Sequence, residues 1–308
     1  GIKNFRLFLP ASRNGYNEVI GANLFKAVGL LSPRTSFISI LVNGKKIDYV
    51  FQEELSKEML EFNNLNEGPI FESNEKLQRQ KVISSKIVNE QWAGLNKFNL
   101  RSSLEALKKI NFHYHISSYS EISNVADMNL KGDLYDIEDK KGELIYNQFE
   151  ALSYAINGEH LLNRGDRKFY FDPVYGRFVP IYFDSRTNFF NLNFSNKIIT
   201  KSARNGIDHV LTKLEKIDKN KFLKNLLSDG VKINKNQLEE IFDNVINNLL
   251  KMKNFETSNY TKVEKDIFND LLLTRQDTGF IFIDDLNLSR FNICDVKLNC
   301  EIKYFETK

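Results

Sequence analysis

Two aspartates draw attention by where they fall. Asp166 precedes a short aromatic run, Phe169-Tyr170-Phe171, and Asp184 closes a second apolar run, Phe178 to Phe183. Asp172-Pro173-Val174-Tyr175-Gly176 separates the runs, so residues 158–190 read as a β-hairpin with a longer loop. An antiparallel hairpin brings its second strand back to the start of its first, which sets both acids at the same end. Two carboxylates on loops held by apolar strands suit a general base and a ligand for a hard divalent cation. Taken singly, each has an ordinary cause in turn formation. The shared position gives the pair its interest.

Other candidate groups are weaker. His113 and His115 are two apart and would share a strand face, but no third ligand lies nearby, and a partly buried pair is the ordinary reading. His160 shares a face with Phe149, Leu152 and Ile156 of a helix expected over 147–162. It reads either as a core histidine or as the residue that orients the loop carrying Asp166. Cys294 and Cys300 lie close together on an expected strand, at a spacing that matches no zinc motif, which favours a reduced, structural role.

The elements that must position these groups follow from pattern. Residues 3–9 suit a strand ended by Pro10. Ile20, Leu24, Ala27, Val28 and Leu31 give residues 17–31 the spacing of an amphipathic helix, with Gly29 and Pro33 at its end. Phe37 to Val42, Asn43-Gly44 and Lys45 to Gln52 form a hairpin, and 54–62 a short helix. Further helices are expected around Ile87 to Trp92, over 100–110, over 207–229 as one or two, and over 237–252. Residues 191–205 read as a polar loop over the site or plain surface. The tail is β, over 280–283 and 291–304. There the apolar phase slips by one residue, which calls for a bulge or turn near Cys294-Asp295.

The 308 residues are 42% hydrophobic and 27% charged, ordinary values for a globular chain with a large core. A formal charge of +3 gives no reason to expect a dedicated nucleic-acid or membrane partner. No apolar run reaches the length of a transmembrane helix, and nothing at the start reads as a signal peptide. A fragment of a longer or secreted protein would look the same, so the compartment stays open.

The strand, helix, hairpin, short-helix order is that of the N-terminal lobe of a protein-kinase-like enzyme. The runs FRLFLPASRNGYNEVIGANLFKAVGLLSPRT, VNGKKIDYVFQEELSKEMLE and EGPIFE resemble the N-terminal half of the CotH-type kinases, a family named for a spore-coat protein kinase. GDRKFYFDPVYGRFVPIYFD resembles the central segment of that family. The resemblance covers about residues 3–72 and 150–190. It implies an α+β, atypical protein-kinase-like fold with a small antiparallel-sheet N-lobe and a larger, mainly helical C-lobe. The expected division is 1–62, then 63–255 with the central hairpin, then a β-containing extension over 256–308.

The function implied is transfer of a phosphoryl group from ATP, with Mg²⁺ or Mn²⁺, to hydroxyls of a protein substrate. By position, Asp166 is the catalytic-loop acid and Asp184 the metal ligand. Glu18 is the helix acid, paired with Lys3 or Arg6, one of which contacts phosphate, and Glu53 lies at the hinge near the adenine. An acid in the first turn of a helix has another sufficient cause, the helix dipole. The chain departs from the family where Lys168 replaces an Asn that would ligate a second metal. Lys168 can instead contact a phosphate, in place of that Asn. Ser185-Arg186 follows Asp184 where an acid or Gly is usual, and no Gly-rich loop precedes Lys3 in this sequence. A pseudokinase, or nucleotide-binding scaffold without turnover, is the alternative. A carboxylate-based hydrolase using Asp166 with Asp172 or Asp184 is the third reading.

Overall fold

Alternation and turn chemistry build the first sheet of the computed structural model, which describes residues 1–74, 84–119, 134–136, 138–163, 165–192, 198–257, 280–283, 290–294 and 300–304. Strands β1 (Phe5–Phe8), β2 (Thr35–Val42) and β3 (Lys45–Glu53) are antiparallel in the order β1-β3-β2. Asn43 and Gly44, at φ 50° and 74°, form the two-residue turn that pairs Val42 with Lys45. A second sheet has the order β5-β4-β6-β7, from β4 (Ile70–Ser73), β5 (Ser85–Ile87), β6 (Lys168–Asp172) and β7 (Arg177–Pro180). The expected central hairpin is therefore present, and strand β4 extends it.

Eight α-helices are described, α1 (Tyr16–Ala27), α2 (Lys57–Phe62), α3 (Glu90–Ala93), α4 (Lys97–Tyr119), α5 (Lys140–Ala155), α6 (Lys201–Glu215), α7 (Lys219–Ser228) and α8 (Lys235–Met252). Among the described residues, none is long and apolar enough to cross a membrane. Parallel strands β8 (Ile198–Ile199) and β9 (Glu256–Thr257) flank α6 to α8. The chain is thus mixed α and β with small, mainly antiparallel sheets. Gly1–Asn259 forms one compact unit and Tyr260–Lys308 a second. The second holds β10 (Phe280–Ile283), β11 (Arg290–Cys294) and β12 (Cys300–Tyr304), antiparallel in that order.

Several elements differ from the sequence reading. α1 ends at Ala27, four residues early, because Gly29 takes φ 78° and turns the chain. The turn sends Leu31 into a parallel bridge with Ile181. His113 and His115 lie in helix α4, not on a strand. The expected 147–162 helix is α5, which begins seven residues earlier because Asp139 caps it, accepting from Gly142 N at 3.0 Å. α5 ends where Asn157 takes φ 53°, and a one-turn 3-10 helix at Glu159–Leu162 follows. The phase slip in the tail is a full chain reversal: Cys294 and Cys300 are Cα partners on neighbouring antiparallel strands, not neighbours on one strand. Most of 117–144 and part of 191–205 lie outside the described residues, and α6 occupies the end of the latter.

A large apolar core runs through the first unit, beside a smaller one of Leu31, Leu55, Met59, Leu60, Ile70, Tyr170, Val179 and Ile181. Val19, Ile20 and Phe25 of α1 pack with Phe149 and Leu152 of α5, with Phe178 of β7 and with Tyr182. The Phe25 ring lies 5.3 Å from Phe149 and 4.6 Å from Tyr182, centre to centre. This cluster joins the helix before the first hairpin to the end of the central one. There the chemistry-bearing residues gather.

Candidate functional site

The loop before β6 is a tight turn held from several sides. Asp166 N and Arg167 N both donate to the Asn163 carbonyl, at 3.0 and 3.2 Å. Buried Arg167 donates from Nε to the Leu162 carbonyl at 2.8 Å, and Ser73 of β4 donates to the Gly165 carbonyl. Asn163 Nδ2 donates to Asp166 Oδ2 at 2.8 Å. His160, on the 3-10 turn, sets its Nδ1 3.3 Å from that same oxygen and its Nε2 3.8 Å from Asp184 Oδ2. The structure therefore brings Asp166 and Asp184 to one end of the hairpin, with a single imidazole between them.

Burial dominates the titration of His160 and Asp166. It pushes His160 below the ordinary histidine value, although Asp166 and Asp184 act the other way. It pushes Asp166 above the ordinary aspartate value, although His160, Arg186 and Lys168 oppose it. The imidazole lies within contact distance of the carboxylate, and the raised pKa makes Asp166 a better proton acceptor than an exposed aspartate.

Asp184 is positioned by its backbone. Asp184 and Arg186 have φ 58° and 56°, a left-handed conformation that Asp tolerates and Arg rarely adopts. Glu18 of α1 holds this turn. Its Oε1 accepts from Asp184 N at 2.8 Å and from Gln52 Nε2 at 3.1 Å. Its Oε2 accepts from Tyr182 Oη at 3.2 Å and from Ser185 N at 3.4 Å. Glu18 is 2% exposed, and burial raises its pKa despite these donors. The Asp184 carboxylate itself pairs with Arg13, whose guanidinium lies over the Phe8 ring at 4.2 Å.

The other expected residues fall elsewhere. Glu18 does not pair with Lys3 or Arg6. Arg6 stands opposite Gln52 in the sheet but bonds Glu54 Oε1 at 3.1 Å, so the uncharged Gln52 reaches Glu18 instead. Lys3 is exposed and acts on Glu58. Glu53 is buried, with its carboxylate forked onto Arg34, Nε to Oε2 at 2.7 Å. Lys168 bonds Glu72 Oε2 at 2.7 Å, next to Lys86 at 3.3 Å on the other oxygen. Lys168 also lies over the Phe183 ring at 4.6 Å. Asp172, the hydrolase alternative, caps the turn at the far end of the hairpin through Val174 N at 3.0 Å and cannot act with Asp166.

Arg13, Gln52, Asn163 and Tyr182 were not singled out from sequence. A lone Arg in a loop and a Gln in a strand carry no pattern. Only Asn163, three residues before Asp166 with a Gly between, offered a turn signal. Among the described residues, no group of three or more His, Cys, Asp or Glu side chains is arranged to hold a metal unaided. No protein-family model matches the chain, and no curated protein resembles it significantly.

Proposed function

We infer that this chain is a phosphoryl transferase that uses ATP and a divalent cation to modify a protein hydroxyl, in the manner of the CotH-type kinases. The observation that carries this reading is the convergence of Asp166 and Asp184 on His160, with cationic Arg13, Lys168 and Arg186 close by. That donor set fits a small hard cation held through one or two carboxylates and completed by phosphate oxygens. Asp184 would be its first ligand, and when bound it would screen charge between the terminal phosphates.

The chain's own residues supply the rest. Asp166, made a better proton acceptor by burial and held by Asn163, accepts the proton of the incoming hydroxyl. Glu18 fixes the left-handed turn at Asp184, so the carboxylate needs no reorganisation. Arg13, Arg186 and Lys168 offset the charge of the transferred group.

The reading without turnover draws on one feature. Lys168 stands where the family has a metal-ligating Asn, and its ammonium is tied to Glu72. A thermal-shift titration with ATP and Mg²⁺ or Mn²⁺, followed by a transfer assay with γ-labelled ATP, separates the two. A ligand confined to the folded state adds about 2.7 kcal/mol at a hundredfold excess over its Kd. The expected result is a metal-dependent rise in Tm that Asp184→Ala abolishes, together with label on the chain or on casein. A rise without label supports the non-catalytic reading. No rise with any metal overturns both.

A further inference from the structure

A groove of about 760 Å3 separates the C-terminal turn of α1 from the α6–α7 connection, about 13 Å further along α1 than Glu18. Four lysines line it: Lys26, Lys213, Lys216 and Lys221. Among the described residues, none of the four comes within ion-pair distance of a carboxylate. Lys213 is the most confined. Its Nζ donates to the Val28 carbonyl at 2.5 Å and to Gln148 Oε1 at 2.8 Å, both uncharged, and burial alone lowers its pKa. A half-buried cation without a counter-charge is unfavourable, and an anion in the groove would relieve it.

The two acids of the groove are already engaged. Asp218 caps α7, accepting from Asn220 N and Lys221 N at 3.0 Å each, and Asp229 accepts from Asn23 at 2.9 Å. Asn23, Lys26 and Asp229 also line a second hollow, of about 290 Å3, which continues past Arg34 and Phe62. The two hollows share these three residues, and apolar Ile217, Ile2 and Phe62 line them along with the cations. The aromatic rings along the path already have partners, and Phe51 lies 5.1 Å from Phe5, centre to centre. Phe222 is buried against Phe242, and Lys26 and Arg34 cover the Phe62 ring at 3.8 and 4.4 Å. That disfavours single-stranded nucleic acid. Two adjoining hollows suit an extended ligand better than a compact polyphosphate.

We propose that this groove docks an extended acidic peptide segment of a partner protein, its carboxylates on the lysines and its apolar residues on Ile217 and Ile2. The site stands apart from the Asp166–Asp184 cluster and does not depend on the reading given to that cluster. The test is a fluorescence-anisotropy titration with a fluorescein-labelled peptide alternating glutamate and leucine. Saturable binding is expected at about 50 mM salt and marked weakening at about 300 mM. In the double variant Lys216→Glu/Lys221→Glu, affinity should fall about tenfold or more. Both positions are exposed, and an unchanged Tm verifies the fold; if that variant is unstable, Lys216→Gln/Lys221→Gln serves in its place. Absence of saturable binding, or equal affinity in the variants, overturns the proposal. So does displacement of the peptide by tripolyphosphate or polyuridylate at lower concentrations than by unlabelled peptide.

Discussion

Glu18 shows how a residue type can be legible while its role is not. An acid in the first turn of α1 is visible in sequence, and the kinase-like order suggests a basic partner. The structure instead gives it four donors, two of them backbone amides of the segment that carries Asp184. Three of those contacts span more than 160 residues of sequence, and no local pattern encodes them. Glu18→Leu strands buried donors with no room for water, so a loss of about 3 kcal/mol or more is expected in urea unfolding. Glu18→Gln keeps one acceptor oxygen and should lose less. Asp229 gives a second test at this scale. Burial raises its pKa above the ordinary aspartate value, against the opposing effects of Asn23 and Lys26. A raised carboxyl pKa means that the folded state binds more protons, so this group's contribution is lost as pH rises from about 3.9 towards neutrality. Asp229→Asn removes that loss while keeping an acceptor for Asn23. Urea unfolding at a series of pH values should show the variant gaining on the wild type from pH 4 to 7.

At the scale of elements, apolar period and turn residues were sufficient for the first hairpin, α1, the central hairpin and α8. The hairpins and α8 have strong local causes: Asn43-Gly44 for the first turn, Asp172 to Gly176 for the second, and for α8 the capping box of Asn234 with Gln237. α6 was legible only in part. The apolar pattern places a helix only from residue 207, and an interior glycine costs a helix about 1 kcal/mol. In fact α6 runs through Gly206 from Lys201. A Cβ there would lie 1.9 Å from the Asn147 carbonyl oxygen of α5, so the glycine is required by the approach of two helices. Backbone cannot move aside as a side chain can. Gly206→Ala should therefore destabilise by about 3 kcal/mol, measurable by thermal or urea unfolding. The site feels this packing, because α5 carries Phe149, whose ring touches the Phe25 that packs on Tyr182.

For the whole molecule, the order of elements suggested a small lobe ending near residue 62. Order does not report how cores join. In the structure, α1 and Val50 of β3 share one core with α5, α6, α8 and the central hairpin. Tyr182 N donates to the Leu31 carbonyl at 2.9 Å, and Phe37 N to the Asp229 carbonyl at 2.7 Å, so backbone hydrogen bonds also cross residue 62. Residues 1–62 thus share core and backbone hydrogen bonds with the remainder of the unit, and a segment joined in that way is expected to open with it. The single tryptophan, Trp92, lies beyond residue 62 and bonds Glu67 at 2.8 Å. Its fluorescence reports on the region after the first hairpin, whereas Tyr49 labelled with fluorine would report on the hairpin itself. For the stretch Gly1–Asn259, the two signals should follow one urea transition with a common midpoint. A Tyr49 midpoint clearly below that of Trp92 would mean that residues 1–62 open as a lobe of their own. Glu18 would then let go of the Asp184 turn before the rest of the molecule unfolds.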